Sequence, residues 1–416
     1  MVIVKISVSR MTIIQLFLLI VFAGSAIADL TGPFPVVEGK FGTSPTEFAI
    51  SHDDMGDSVP SIRSINVLGN IFLVDNEQVK IFDYRGQLLQ IVKPKNIKDT
   101  HGWPAFMDAD SHNNIYTSNY DNKLQKYSIR GELLWEKEVI VGRIAVQPDD
   151  TIIIWGYRPD KKGAEALLLF SSTGQLLKTY TERPLELGVV ESKGAATGQY
   201  KYETTIKYPD HTYHIFSNQP FVKYCRDGLK NLYRTETYVE KRGNEEIIRY
   251  KLYRYDRCSE EAVIFNMPIS EYEPMPPQAS NLPTWIPVPI IEYGEPIISP
   301  SGDLYCWART KTEYKILKWT WQGPADAPQS LKVSPSQTGL SLTWDLPQKD
   351  ANSVTSYEIN RSGTVCGPFR PIGTVKKDRL TYEDQGVKPG ETWYYQVRAM
   401  REKTPSGYSN KAVGTR

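Results

Sequence analysis

The sequence has little of what chemistry at a site usually needs. Four cysteines in 416 residues, none spaced as Cys-x-x-Cys, give no zinc or thioredoxin-like redox motif. A surplus of either charge is also missing. The 49 basic and 48 acidic side chains leave a formal +1, with no footprint for nucleic acid and no polybasic anchor for anionic lipid. Phosphate-binding glycine loops, nucleophile elbows and His-Glu-x-x-His helices do not occur. The five histidines are His52, His101, His112, His211 and His214. His211 and His214 are three apart, which on a strand turns them to opposite faces and argues against a shared metal. Asp53, Asp54 and Asp57 cluster beside His52 without EF-hand spacing and read as a solvated loop. Asp108, Asp110 and Asn114 are candidates for an axial cluster, but such residues also cap β-turns. No cofactor and no metal site is expected, and no catalytic residue is assigned.

Long hydrophobic runs are scarce as well. The single one, in residues 11–24, follows Lys5 and Arg10 and precedes Ala26 and Ala28 in an A-x-A pattern. Basic region, short apolar run and small-residue site are the parts of a secretory signal peptide, and the run is shorter than a bilayer span needs. Residues 1–28 are therefore expected to be removed, with Lys5 and Arg10, leaving a soluble chain of formal charge −1 and no membrane span. The chain stops at Arg416 without a sorting tail, so any surface attachment is expected to be non-covalent. Cys225, Cys258, Cys306 and Cys366 allow three full pairings. Cys225 and Cys258 fall in neighbouring expected strands and are the expected disulfide. Cys306 and Cys366 fall in different expected domains and read as small buried or free thiols.

What is abundant is aromatic and turn-forming. Aromatics reach 11%, Tyr alone 25 residues, beside 29 Gly and 28 Pro, which favours strands and turns. The length suggests two domains. "IFDYRGQLLQIV" recurs as "KYSIRGELLWEK" and "LFSSTGQLLKTY", placing Gly86, Gly131 and Gly174 in register at spacings of 45 and 43. Four residues before each stands an aromatic, Phe82, Tyr127 and Phe170. Upstream of each is a polar turn and a β-rich run, "LGNIFLVD", "HNNIYTSN" and "PDDTIIIWG". Short strands repeated at such a period are the mark of propeller blades, which bury their faces only by stacking around an axis. A later copy keeps Trp319 four before Gly323 but lacks the leucines. An orphan strand at 32–42 is expected to supply that missing outer strand and close the ring.

Six blades are expected, with five left open because 185–268 is irregular. Within it "YRTETYVEKRGNEEIIRYKLYRYD" reads as a long hairpin that projects beyond the ring. Between Pro268 and Pro296, eight prolines interleave with Tyr272, Trp285 and Tyr293. This stretch is expected to be extended and outside the sheet ladders, as a linker or as a candidate binding loop carrying those three aromatics.

From Pro324 the pattern changes to about seven short alternating strands. Pro328, Leu331, Trp344, Pro347, Tyr357, Gly367-Pro368-Phe369, Tyr382, Asp384, Pro389-Gly390, Tyr395, Val397, Ala399 and Ser409-Asn410 carry it. The segment resembles a bacterial fibronectin type III domain. It departs from that family at Trp393, where the corner tyrosine usually stands; an indole donates but has no acceptor, so the usual bond must be replaced or moved to Tyr394. The repeats resemble, more loosely, six-bladed propellers of the NHL or TolB-like kind, with "GNIFLVDNEQVKIFDYRGQLL" the best match. Such propellers mostly bind proteins, glycans or small ligands, and some are lactonases or lyases; fold alone does not choose.

The expected organisation is thus all-β: a propeller over 29–323 and a fibronectin type III β-sandwich over 324–416. The leading functional reading is a secreted, extracellular or periplasmic, non-catalytic protein that recognises a protein or glycan on a propeller face. The competing one is an exported hydrolase or lyase acting on a lactone or polysaccharide. A third is a part in assembling an extracellular structure.

Overall fold

In the computed structural model residues 30–416 are described except 43, 45, 54–55, 76–77, 94–105, 119–122, 140, 148, 158–164, 181–188, 195–201, 209–210, 218–223, 243–244, 259–261, 269, 273–288, 322–323 and 403–404. The expected signal segment, Gly323 and Trp285 lie outside the described residues.

Turn chemistry sets the repeating unit. At Asp83 to Gln87 the Asp83 N–H donates to the Gln87 carbonyl at 2.9 Å and the Gly86 N–H to the Asp83 carbonyl at 2.9 Å. The same pair of bonds recurs at Ser128 to Glu132 and Ser171 to Gln175. Each turn needs a left-handed residue before its last, and the repeated glycines supply it with φ near +85° at Gly86 and +81° at Gly131 and Gly174. The turns join Gln78–Phe82 to Leu88–Val92, Lys123–Tyr127 to Leu133–Glu138 and Glu165–Phe170 to Leu176–Tyr180, in each case the last two strands of a four-stranded antiparallel sheet. The leucine pairs start the outermost strands, where Leu89, Leu133, Leu134, Leu176 and Leu177 are exposed.

Among the described residues seven antiparallel sheets precede the C-terminal segment: a two-stranded one, Ser51–Asp53 with Gly56–Ser58, where a solvated loop was expected, and six larger ones. The first holds Ser61–Ile65, Ile71–Asp75, Gln78–Phe82 and Leu88–Val92. The second holds Phe106–Ala109, Ile115–Ser118, Lys123–Tyr127 and Leu133–Glu138, and the third Val141–Val146, Ile152–Tyr157, Glu165–Phe170 and Leu176–Tyr180. The irregular middle region makes two sheets. The fourth is Val189–Gly194, Tyr202–Lys207 and Thr212–Ser217, and the fifth Tyr224–Arg226, Leu232–Arg242, Glu245–Tyr255 and Ala262–Asn266. Leu232–Arg242 and Glu245–Tyr255 stay paired along their whole length, whereas the flanking strands reach only Arg234 and Lys251, so the hairpin extends past its own sheet. The sixth sheet runs Leu30–Lys40, Glu313–Trp321, Leu304–Arg309, Pro289–Tyr293, Glu271–Tyr272, with Ile297–Ile298 also on Leu304–Arg309. Its outer strand comes from the N-terminal end, where Leu30 pairs with Trp321 and Lys40 with Glu313.

The period-2 alternation of each strand buries both sheet faces against neighbours. Ile71 and Leu73 meet Val37, Tyr305 and Tyr314 of the sixth sheet, whereas Phe72 and Val74 meet Met107 and Tyr127 of the second. Tyr116 and Leu124 meet Ile152, Ile154 and Leu168 of the third. Ile206 and Tyr213 of the fourth meet Leu232 and Tyr253 of the fifth, and Tyr233 and Leu252 of the fifth meet Leu304, Leu317 and Trp319 of the sixth. Charged side chains are buried in this stack as well. Lys80 Nζ lies 2.6 Å from Asp75 with both side chains at 1% exposure, and Asp75 also accepts the Ala49 N–H at 2.9 Å.

Seven strands form the C-terminal sandwich. Gln329–Pro335, Leu340–Asp345 and Thr381–Asp384 make one sheet; Arg370–Lys376, Ser356–Ser362, Thr392–Met400 and Ala412–Thr415 make the other. Leu331, Leu342 and Trp344 meet Tyr357, Ile359 and Val397 between them. Trp393 donates its indole N–H to Glu391 at 3.1 Å, and the buried hydroxyl bond is made by Tyr395 to Asp384 at 2.8 Å.

Two expectations are corrected. Cys258 is bonded to Cys366, with Cα atoms 5.2 Å apart, and not to Cys225. Cys225 pairs across to Tyr233, so its strand and the strand leading to Cys258 flank Leu232–Arg242 on opposite sides. Two strand spacings, about 10 Å, exceed disulfide reach. Cys366, expected as a buried or free thiol, is thereby the partner; Cys306 is free and buried. The proline-rich stretch is also not wholly outside the ladders. Tyr272 pairs with Pro289 and Tyr293 with Ala308, because Pro289 opens its strand, where a missing N–H is tolerated.

Candidate functional site

Among the described residues two places gather polar side chains. The first lies at the turns between the first two strands of successive sheets. Asp110 accepts the Asn114 N–H and Asn114 Nδ2 at 2.8 Å each and the Tyr116 hydroxyl at 3.0 Å, and Lys126 Nζ stands 3.2 Å away. Asp227 repeats the design with Asn231 and Tyr233, at 2.9, 2.9 and 2.8 Å. Neighbouring turns are tied together, with Asn66 Nδ2 donating to the Asp110 carbonyl at 2.8 Å and the Ser111 N–H to Asp150 at 2.8 Å. Asp108 and Asp110 of the expected axial trio are thus close, but Asn114 serves Asp110 as a turn brace.

Asp108 sits on the first strand of the second sheet, at its edge, and links three sheets at once. It accepts the Ser64 hydroxyl of the first and, at 2.7 Å, the Val146 N–H of the third. Burial pushes its carboxyl up to about 6, against the hydrogen bonds from Ser64, Val146 and Ala109. Asp110, His112 and Asp150 bring ligand atoms within 4.8 Å of one another. Lys126 stands 3.2 Å from Asp110 and balances part of the charge of this group. Ser111, His112 and Asp150 form a triangle that is not a catalytic triad. Ser111 Oγ and Asp150 Oδ2 both lie 3.1 Å from the same ring nitrogen, Nδ1, whereas proton relay needs one on each nitrogen.

His211 and His214 do not converge. His211 Nε2 lies 3.2 Å from the Asp256 carbonyl and His214 Nδ1 3.2 Å from Glu203, on separate partners. The side chains of His52, Asp53, Asp57 and Tyr272, and all of His101 and Asp54, are outside the described residues. Tyr293 packs on the core shared by the fifth and sixth sheets and donates its N–H to Ser270 at 2.9 Å.

The second place is a cavity of about 280 Å³ where the fifth and sixth sheets meet the sandwich. Arg254 and Trp321 line it from the sheets, Leu331 and Lys411 from the sandwich, and Cys258 at its edge carries the disulfide. Arg254 stacks on Trp321 at 4.4 Å and pairs with Asp256 at 2.8 Å; Lys318 pairs with Asp303 at 2.6 Å. Burial raises Asp227 to about 6 despite its bonds from Tyr233 and Asn231. Sequence reading missed this cavity. The Asp-x-x-x-Asn-x-Tyr pattern at Asp227 and Asp110 was visible, but the junction depends on residues far apart in the chain.

No family model matches the chain. A stretch of 76 residues, 18% of the chain, is 33% identical to the amylopullulanase of Thermoanaerobacter thermohydrosulfuricus, of whose length it spans 5%. A Fn3-like protein from Clostridium thermocellum is similar at 27% identity over 21% of this chain and 90% of that one, with a TM-score of 0.19. PorZ, a surface component of the type-IX secretion system of Porphyromonas gingivalis, is similar at 9% identity over 82% of this chain and 50% of that one, with a TM-score of 0.29. No helix among the described residues is long and apolar enough to cross a membrane.

Proposed function

We propose that this chain is an exported, non-catalytic recognition protein acting outside the cell or in the periplasm. In this reading residues 29–323 close into a six-bladed propeller of the NHL or TolB-like kind. Five apolar interfaces between sheets support the ring, and the sixth would join the third sheet to the fourth. Residues 324–416 are a fibronectin type III module. The ligand is a protein or a glycan, met on a ring face by the segment from Tyr272 to Tyr293 with Trp285 as its aromatic contact.

The observation that carries the reading is how the sandwich is held. Cys258–Cys366 bonds the sandwich to the chain just after Glu245–Tyr255 of the fifth sheet, and Lys332 of the sandwich reaches over Tyr84 of the first sheet at 4.3 Å, so the two parts meet as one frame, the arrangement that presents loops rigidly. The turn clusters support the same view, since Asp110 and Asp227 are held by their own turns and, among the described residues, none aligns a nucleophile with a base and its orienting group. Binding of the mature chain to a glycan array and to secreted proteins tests it. Saturable binding that Trp285→Ala weakens is expected; release of reducing ends or opened lactone would overturn it. That outcome would favour the exported hydrolase or lyase, for which the Asp108 carboxyl, raised to about 6, is the supporting observation.

A further inference from the structure

The junction cavity has donors left over. Trp321 is 6% exposed, and its indole N–H has no protein partner. The Nε–H of Arg254, on the same lining, is likewise buried without one. A buried donor left unpaired loses its hydration with nothing in return, so two of them on one cavity lining call for an acceptor.

The charges point the same way. Asp256 and Asp303 are taken by Arg254 and Lys318. Asp227 has its oxygens occupied by Asn231 and Tyr233, and Asp345 makes no ion pair among the described residues. Lys411 and Lys332 have no carboxylate within ion-pair distance there either. Burial holds both ammonium pKa values below the usual lysine range. Lys332 stands at the exposed rim, reaching over Tyr84 at 4.3 Å, while Lys411 is half-buried.

We propose that this cavity binds a small anion, a carboxylate or a sulfate or phosphate monoester, with Arg254, Trp321 and Lys411 as its donors and Lys332 guiding entry. The volume, at the lower end for ligand pockets, suits one sugar-sized molecule. This goes beyond recognition on a ring face, because the anion is held whether or not a face takes a partner.

Calorimetric titration of the full mature chain at low salt, with inorganic sulfate and separately with galacturonate, tests it. One-to-one saturation by at least one probe is expected, weakened roughly tenfold by Lys411→Gln and by Trp321→Phe, which removes the N–H and keeps a ring. Sulfate alone would mark a tetrahedral oxyanion, galacturonate alone a sugar carboxylate, and both a general anion site. Absence of saturable heat with either probe overturns the proposal. So does unchanged affinity in the Lys411→Gln chain, whose half-buried side chain can be removed without opening a core, with its melting temperature as the control for folding.

Discussion

A side-chain carbon on Gly86 would overlap the carbonyl oxygen of Val36. Val36 lies on the N-terminal strand that forms the outer edge of the sixth sheet, so the outer turn of the first sheet rests on the backbone of the sheet beside it. The pattern continues. Gly131 approaches Val92 and Lys93 of the first sheet, and Gly174 approaches Trp135 of the second. Each repeated glycine therefore meets two demands, a left-handed backbone and close contact with the preceding sheet.

Alanine at these glycines is expected to give graded losses. Gly390, at φ +82° with nothing within 4 Å of a new carbon, sets the backbone cost alone, about 1–2 kcal/mol. Gly131→Ala, with a 3.0 Å approach to Val92, is expected to cost more, and Gly86→Ala the most, upwards of ~3 kcal/mol, because the N-terminal strand must shift. Urea unfolding of the three variants checks this, and equal losses would contradict the packing role.

The buried pair Asp75–Lys80 is expected to behave as a unit. Lys80→Met strands a carboxylate at 1% exposure and is expected to cost roughly 3–5 kcal/mol. Asp75→Asn with Lys80→Met together are expected to lose clearly less than the sum of the single variants. A double-mutant cycle by thermal unfolding reads the coupling, and additivity would refute it.

Stability is expected to carry an acid-side signature of Asp108. Its folded pKa, about 6, lies above the ordinary 3.8, so the folded state holds this proton more tightly than the unfolded state does. The resulting stability is present below about pH 4 and is lost as pH rises through 6. Wild type minus Asp108→Asn, compared as melting temperatures from pH 4 to 7, is expected to decline over that window. A flat difference would mean that the carboxyl is ordinary.

Peptide mapping without reduction is expected to recover Cys258 linked to Cys366. The bond closes 108 residues, so Cys366→Ser is expected to cost up to about 4–5 kcal/mol in the chain-entropy account. Solution scattering is expected to show a wider distribution of shapes once the bond is gone. A Cys225–Cys258 peptide would reverse the assignment.

Much of this protein was legible because it is local. A positive-φ residue before the last turn position, an aspartate that braces an asparagine four residues on, and strands alternating at period 2 are set within a dozen residues, and they specify the sheets around Gly86, Gly131 and Gly174. The strand pattern after Pro324 was equally local, and a two-sheet sandwich follows from it. The middle region was harder, since the fourth and fifth sheets keep the turn chemistry at Asp227 but lose the glycine and leucine copies. Cysteine pairing and the junction cavity were decided only by the tertiary structure. Cys258 and Cys366 belong to different sheets systems brought together by packing, and composition carries no information on distance. The spare donors of Arg254 and Trp321 are of the same kind: whether a polar group is satisfied depends on what lies within 3.5 Å, and neighbours drawn from distant parts of the chain decide that.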